Sequence, residues 1–159
     1  MNLNYTFRDT VKIELDDATL LGDLVIPERA AGLIVFSHGS GSSRLSSRNR
    51  FVAEHLQRSG FATLLFDLLT EEEDQDIGSR FDIVKLTRRL IDTTYWVQQD
   101  PRTRDFNLAY FGASTGAASA IGAAAAEGPD IVKAVVSRGG RPDLADAVLP
   151  DLRVPTLLI

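Results

Sequence analysis

The sequence contains no cysteine among its 159 residues. This absence excludes a disulfide scaffold, a thiolate metal site and a cysteine nucleophile. No apolar run approaches the roughly 18 residues that a membrane span needs. The N-terminal segment also lacks the basic and apolar regions of a signal peptide. We therefore expect a cytoplasmic protein with no membrane partner.

Basic residues are outnumbered by acidic ones, with 17 Lys and Arg against 22 Asp and Glu, which gives a formal charge of −5. This balance argues against a nucleic-acid partner. Neither of the two histidines has a partner at metal-ligand spacing, so we expect no metal and no other cofactor. The length and the apolar fraction of 44% are those of one globular domain over residues 1–159. The sequence leaves open whether the protein forms a homo-oligomer.

Hydrophobic patterning predicts a strand hairpin followed by alternating strands and helices. Residues 11–15 and 19–26 read as two strands joined by a turn at residues 16–18. Later apolar runs read as buried strands, at residues 33–36, 61–66, 107–111, 132–136 and 154–159. Because helical segments separate these runs, we predict an α/β fold in three layers. It has a mostly parallel sheet, an N-terminal antiparallel hairpin and helices on both faces.

Helical segments are expected between the strands, and one charged segment is expected to be a loop. The first helix, at residues 49–59, should place Phe51, Val52, His55 and Leu56 on one apolar face. The acidic residues 71–76 should form a solvated loop, and residues 81–98 should form one long amphipathic helix. A helix of very small residues is expected at 117–126, and a short helix at 144–148.

The residues at 112–116, Gly-Ala-Ser-Thr-Gly, match the G-x-S-x-G pattern of a nucleophile elbow. The pattern lies between a predicted strand and a predicted helix, which is the context that the motif requires. Its small flanking residues allow the strand and the helix to approach each other. We therefore interpret Ser114 as a nucleophile, with a helix-capping serine in a tight turn as the alternative.

The loop after the first buried strand reads His38-Gly39-Ser40-Gly41. A developing oxyanion needs converging N–H donors. Thr115 N–H is one candidate, and the N–H of Ser40 or of its neighbour Gly39 is the other. For His38 we prefer a role in bracing this loop over a role as the catalytic base.

Charged residues at other predicted strand ends have two interpretations each. Arg138 and Arg141 either hold a substrate carboxylate or lie exposed in a surface loop. Asp143 is interpreted as a substrate-loop or capping residue rather than a triad acid. Asp67 is interpreted as a capping or turn residue rather than one that orients a loop N–H. Arg44 should pair with the acidic residues 71–76 or lie solvated.

A dinucleotide-binding interpretation fits less well. Gly39, Gly41 and Asp67 mimic part of that fingerprint, but Arg44 stands where the third glycine belongs. The interpretation also leaves the leading hairpin and Ser114 without a role.

Taken together, these segments resemble the α/β-hydrolase superfamily, and within it the dienelactone-hydrolase-like branch. The resemblance lies in the leading hairpin and in residues 36–44, 67–70, 111–116 and 137–144, and it spans nearly the whole chain. It implies that Ser114 attacks a small ester or lactone and forms an acyl-enzyme, without a cofactor. Dienelactone hydrolase proper uses a cysteine nucleophile, so this chain resembles the serine-bearing relatives.

The resemblance also implies a triad acid and a histidine after residue 155, and no histidine follows Ser114. We therefore expect a C-terminally truncated hydrolase, nearly inactive alone, in which residues 157–159 form a central buried strand. The alternative is a non-catalytic ligand-binding or pseudoenzyme domain on the same fold.

Overall fold

The computed structural model of the protein describes residues 4–159. Met1, Asn2 and Leu3, which belong to the N-terminal segment discussed above, lie outside the described residues. Seven strands form one sheet, in the spatial order β1-β2-β4-β3-β5-β6-β7. Their bounds are β1 Tyr5–Glu14, β2 Thr19–Pro27, β3 Leu33–Ser37, β4 Ala62–Phe66, β5 Leu108–Ala113, β6 Val132–Arg138 and β7 Thr156–Leu158.

The predicted division into an antiparallel front and a parallel remainder is confirmed. β1 pairs antiparallel with β2, and β2 pairs antiparallel with β4. The pairs from β4 through β3, β5 and β6 to β7 are parallel. β1 begins well before the predicted residue 11. The sequence does not reveal this first half, because most of its side chains are exposed and form no apolar pattern.

Four α-helices cover the two faces of this sheet. Their bounds are α1 Ser47–Arg58, α2 Ile77–Phe81, α3 Ile83–Gln99 and α4 Thr115–Glu127, and a 3₁₀ helix spans Pro142–Asp151. Strand side chains alternate between faces. Val35 therefore joins the large core under α3 and α4, whereas Phe36 packs with Ala53 of α1 on the other face. The predicted three layers are thus present.

The expected face of α1 is only half right, because Val52 and Leu56 pack against the core but Phe51 and His55 do not. Phe51 and His55 are exposed and pack against each other on the outer surface, with ring centroids 4.4 Å apart. The buried residues are Asn49, Ala53 and Gln57, spaced by four. Gln57 donates a hydrogen bond to a β4 threonine hydroxyl, and Asn49 accepts one from β6. Satisfied polar groups share this contact with Ala53, Val52 and Leu56, so the hydrophobic pattern identifies only part of the buried face.

The segment 71–76 is mostly exposed, as expected, but it is more ordered than a solvated loop. Glu73–Gln75 make a 3₁₀ turn, and the Asp76 carboxylate caps α2 by accepting hydrogen bonds from two of its N–H groups. The single helix expected over 81–98 is also broken. The chain bends at Asp82, whose carboxylate accepts a hydrogen bond from Lys85 N–H and starts α3.

A buried arginine fastens this acidic segment to the rest of the fold. The Arg89 side chain is only 3% exposed, and its Nη2 donates to Glu73 Oε1 at 2.9 Å and to Asp17 Oδ2 at 3.3 Å. Lys85 Nζ also lies 2.8 Å from Glu73. Burial raises the pKa of Glu73, but the hydrogen bonds from Lys85 and Thr70 and the charge of Arg89 outweigh it and lower that pKa overall.

The last strand is shorter and less buried than expected. Among the strands described, β7 pairs only with β6 and lies at one edge of the sheet. The central position expected for residues 157–159 refers to a longer chain and stays a prediction. Leu157, Leu158 and Ile159 are all more than half exposed. Across the described range, no helix has the length and apolar character needed to span a membrane.

Candidate active site

Ser114 lies at the junction where β5 ends and α4 begins. Its backbone has φ 53° and ψ −122°, a positive-φ conformation that costs a side-chain-bearing residue free energy. Two segments hold this turn. Ser114 N–H donates to the Arg138 carbonyl at 3.3 Å, and the Ser114 carbonyl accepts from Arg141 N–H at 3.3 Å. The side chain makes no capping hydrogen bond to α4, so it does not act as the capping serine of the alternative interpretation.

Two glycines allow the strand and the helix to meet at this turn. A Cβ on Gly112 would lie 2.5 Å from the Cα of Ala117. A Cβ on Gly116 would collide with the carbonyl oxygens of Ser37 and His38. The small residues of the motif are therefore required by close backbone approach, as the pattern predicts.

The loop after β3 lies directly against Ser114. A Cβ built on Gly39 would be 3.1 Å from Ser114 Cβ and 3.8 Å from its Oγ. The N–H of Thr115 is at the first position of α4, where no carbonyl four residues earlier in the helix can accept it. The expectation for Ser40 needs a correction, because its N–H is not free. It donates to the Thr115 hydroxyl at 2.8 Å.

His38 braces the loop, as its preferred interpretation states. Its Nε2 accepts a hydrogen bond from Leu68 N–H at 3.0 Å, so the proton is on Nδ1, which lies 2.9 Å from the Gly39 carbonyl and donates to it. Burial lowers the pKa of His38, against the raising effects of the Gly39 hydrogen bond and of the Asp67 and Asp74 charges. Both ring nitrogens are engaged, which leaves neither for Ser114.

Arg138, at the end of β6, and Arg141, in the segment that follows, are each engaged by side chains other than Ser114. The Arg138 guanidinium donates to the Asn49 side chain at 3.1 Å and lies over the Phe111 ring. Arg141 is exposed and pairs with Asp143, with its Nη2 2.6 Å from the carboxylate. The Arg141 hydrogen bond and charge lower the pKa of Asp143. These contacts favour structural roles for the three side chains, while the backbone of this segment supports the elbow.

Asp67 does orient a loop N–H, the interpretation that the sequence disfavours. Its carboxylate accepts from Arg44 N–H at 2.8 Å and from Arg44 Nη1 at 2.7 Å. Arg44 also contacts Asp23 of β2, at 3.3 Å, instead of the acidic residues 71–76. β4 lies between β2 and β3 in the sheet, which brings these three residues together although the sequence separates them widely.

Sequence reasoning did not identify Arg80 as a neighbour of the loop. Its Nη1 is 4.0 Å from the Cβ position of Gly41, and its Nε donates to the Asp74 carbonyl at 2.6 Å. No motif marks it, since α2 carries no recognisable pattern. A cavity of about 420 Å³ opens beside the same loop and is lined in part by His38, Asp67 and Asp74.

No second imidazole reaches this site. His55 lies on the outer surface of α1, and its Nδ1 donates to the Phe51 carbonyl at 2.9 Å. Over residues 4–159, no group of three or more histidine or acidic side chains is placed to hold a metal ion.

The chain is similar to known proteins in sequence and in structure. A scan against models of protein families finds no match. Two proteins named "Putative phosphoribosyl transferase", from two strains of Mycobacterium tuberculosis, are 52% identical to this chain over 151 residues. The match covers 95% of this chain and 34% of each relative, so the chain spans about a third of the length of these curated relatives.

Solved structures give a closer match in length. The crystal structure of a dienelactone hydrolase from Anabaena variabilis is 52% identical, with a TM-score of 0.90 over 96% of this chain and 72% of that one. A dienelactone hydrolase-like promiscuous phosphotriesterase from metagenomic libraries is 19% identical, with a TM-score of 0.74 over 96% and 67% of the two chains. An α/β serine hydrolase homologue from Coxiella burnetii is 16% identical, with a TM-score of 0.78 over 98% and 74%.

Proposed function

Because the chain belongs to the dienelactone hydrolase family and has the α/β-hydrolase fold, we propose that Ser114 is the nucleophile for cleavage of a small ester or lactone. The observation that carries the proposal is the turn at Ser114, held at φ 53° directly against Gly39. Strained backbone of this kind persists only where surrounding contacts enforce it. It lifts the hydroxyl to the N-terminus of α4.

In the proposed reaction, Ser114 Oγ attacks the carbonyl carbon and the carbonyl oxygen becomes negative. Thr115 N–H and the positive end of the α4 dipole stabilise that oxygen. The bond to the leaving alkoxide then breaks, and the alkoxide takes up a proton. Water attacks the acyl-enzyme and releases the acid and the free Ser114 hydroxyl.

The proton of the Ser114 hydroxyl must pass to a base within hydrogen-bond distance. His38 has both nitrogens engaged, and His55 lies on the outer surface of α1. The proposal therefore takes the base and its acid from another segment or another chain. It does not carry over the transferase activity in the name of the M. tuberculosis relatives, because this chain matches only 34% of their length.

A second candidate is a non-catalytic ligand-binding domain on the same fold. The observation that favours it is the lack of a free imidazole beside Ser114 within residues 4–159. An unassisted serine hydroxyl stays protonated and is a weak nucleophile. The two candidates differ in whether Ser114 is ever activated.

A fluorophosphonate probe separates the two candidates. We expect the protein expressed from its complete reading frame to be labelled at Ser114, located by mass spectrometry, and Ser114→Ala to remain unlabelled. The 159-residue chain alone should react far more slowly. Since removing triad members in a characterised enzyme leaves only a small residual rate, that difference tests whether the base comes from elsewhere. No labelling of either polypeptide favours the binding domain.

A further inference from the structure

Thr115 makes a hydrogen bond that joins the two segments of the site. Its Oγ1 accepts the N–H of Ser40 at 2.8 Å, although the residues are 75 positions apart. Thr115 is only 3% exposed, so this bond is made in a nearly dry environment. The hydroxyl therefore sits between the loop after β3 and the N-terminus of α4.

Within residues 4–159, the structure gives the proton of this hydroxyl no acceptor. Oγ1 is the acceptor in the bond from Ser40, so the Thr115 hydroxyl still has its own proton to donate. That bond is the only one that the Thr115 hydroxyl makes within the described part of the chain. A buried donor without an acceptor costs free energy, and an oxygen that gains negative charge beside it would supply the missing acceptor.

The surroundings keep the hydroxyl in this place. Gly39 and Ser114 abut, with 3.1 Å between the Cβ position of Gly39 and Ser114 Cβ. Behind them, the hydroxyls of Ser37 and Ser119 are 2.7 Å apart and tie the end of β3 to α4. The bond from Ser40 also polarises the Thr115 hydroxyl and makes it a stronger donor.

We propose that the Thr115 hydroxyl is a further oxyanion donor, which accepts from Ser40 N–H and donates to the oxygen that becomes negative on Ser114. The inference rests on the proposed function. Ser40 then acts through Thr115 rather than by touching the substrate. Donation to the oxyanion is stronger than donation to the neutral carbonyl, so the contact accelerates acylation.

The test compares wild type with Thr115→Val, which has nearly the same shape and no hydroxyl, and with Thr115→Ser, which keeps the hydroxyl. The enzyme is expressed from its complete reading frame, and the substrates are p-nitrophenyl acetate and its thionoester. Sulfur accepts hydrogen bonds weakly. We expect Thr115→Val to lower kcat for the oxygen ester about 10²-fold, the usual cost of losing one oxyanion donor. The loss on the thionoester should be clearly smaller, and Thr115→Ser should stay close to wild type on both.

Equal losses on the two esters would overturn the inference, because a hydroxyl that only holds the loop slows both alike. A faster Thr115→Val enzyme would also overturn it, since the hydroxyl would then be blocking Ser40 N–H. Melting temperatures check that the variants fold, and Thr115→Ala replaces Thr115→Val if that variant does not. If wild type is no faster than Ser114→Ala on either ester, the proposed function fails and the inference fails with it.

Discussion

His38 shows how a single residue supports the site without touching the substrate. Its two nitrogens tie the carbonyl of Gly39 to the N–H of Leu68, and so join the loop after β3 to the segment after β4. Only a neutral imidazole can do this, because the protonated ring has no acceptor for Leu68. The residue is therefore coupled to the stability of the loop through its protonation.

We expect His38 to make stability fall in mild acid. Its pKa is lower in the folded protein than its ordinary value of 6.5, so the unfolded chain takes up the proton first as the pH falls. The contribution of neutral His38 to the free energy of unfolding is therefore fully present above about pH 6.5. Below that pH the free energy of unfolding decreases, by at most about 1.4 kcal/mol per pH unit. Urea unfolding between pH 7.5 and 5.5 measures this slope.

His38→Gln and His55→Gln form a matched pair for that experiment. Glutamine at position 38 can still accept from Leu68 N–H but does not titrate, so the slope below pH 6.5 should largely disappear. His55 is exposed on α1, away from the loop after β3, and His55→Gln is the control for loss of a histidine as such. An identical slope in wild type and His38→Gln would contradict the assignment.

The sequence predicts individual residues where a short motif determines their surroundings. Ser114 with its glycines and His38 with its loop belong to such motifs. The bond between Ser40 and Thr115 and the pairing of Arg44 with Asp67 were not predictable, because they depend on strand order and on side-chain rotamers. Arg138 and Arg141 were ambiguous for the same reason.

At the scale of elements, the elbow depends on how closely α4 approaches the end of β3. A Cβ on Gly116 would strike the carbonyls of Ser37 and His38, which are backbone atoms and cannot move aside cheaply. A Cβ on Gly122, in the same helix, would meet the Thr87 side chain at 2.9 Å. That side chain can rotate away.

We expect Gly116→Ala to destabilise the protein by about 1–2 kcal/mol. Overpacking costs roughly 1–3 kcal/mol, at the upper end where backbone atoms are struck, and the helix gain of about 1 kcal/mol offsets part of that cost. The substitution should also abolish labelling of Ser114 by displacing the turn. Gly122→Ala should stay within about 1 kcal/mol of wild type and keep the labelling. Equal effects of the two variants, in urea unfolding and labelling, would show that the approach at Gly116 is not critical.

Element boundaries were harder to predict than element types. The sequence predicts one helix over residues 81–98, and the break at Asp82 is visible only from the capping bond to Lys85 N–H. The acidic residues 71–76 look like a loop in sequence, because the partner of Glu73 is a buried arginine on another element. Charge alone does not reveal a partner.

Across the whole molecule, one row of apolar residues crosses five strands on the α1 face. Aligned in register, it consists of Leu65, Phe36, Phe111, Val136 and Leu157. α1 covers one end of this row, while Leu157 at the other end is 56% exposed. The sequence predicts that these strands are apolar, but it does not predict their order in the sheet.

We expect local stability to fall along this row. Amides of β3 should exchange with solvent at least ~100-fold more slowly than the β7 amides that bond β6, because opening an edge strand exposes little buried surface. Native-state hydrogen exchange on the 159-residue chain measures the difference. Amides of β1, the opposite edge strand, serve as a comparison and should also exchange faster than those of β3. Uniform protection from β3 to β7 would contradict the expectation.

The composition of α4 has a further consequence for how the sequence can vary. Its first ten residues are all buried, and nine of them are Thr, Ser, Ala or Gly. Small residues are usually regarded as permissive, but here each added methylene has no free volume to occupy. Among homologues, we expect exposed large residues such as Ile77 and Phe81 to be replaced by many residue types. The alanines of α4 should change mainly to glycine or serine.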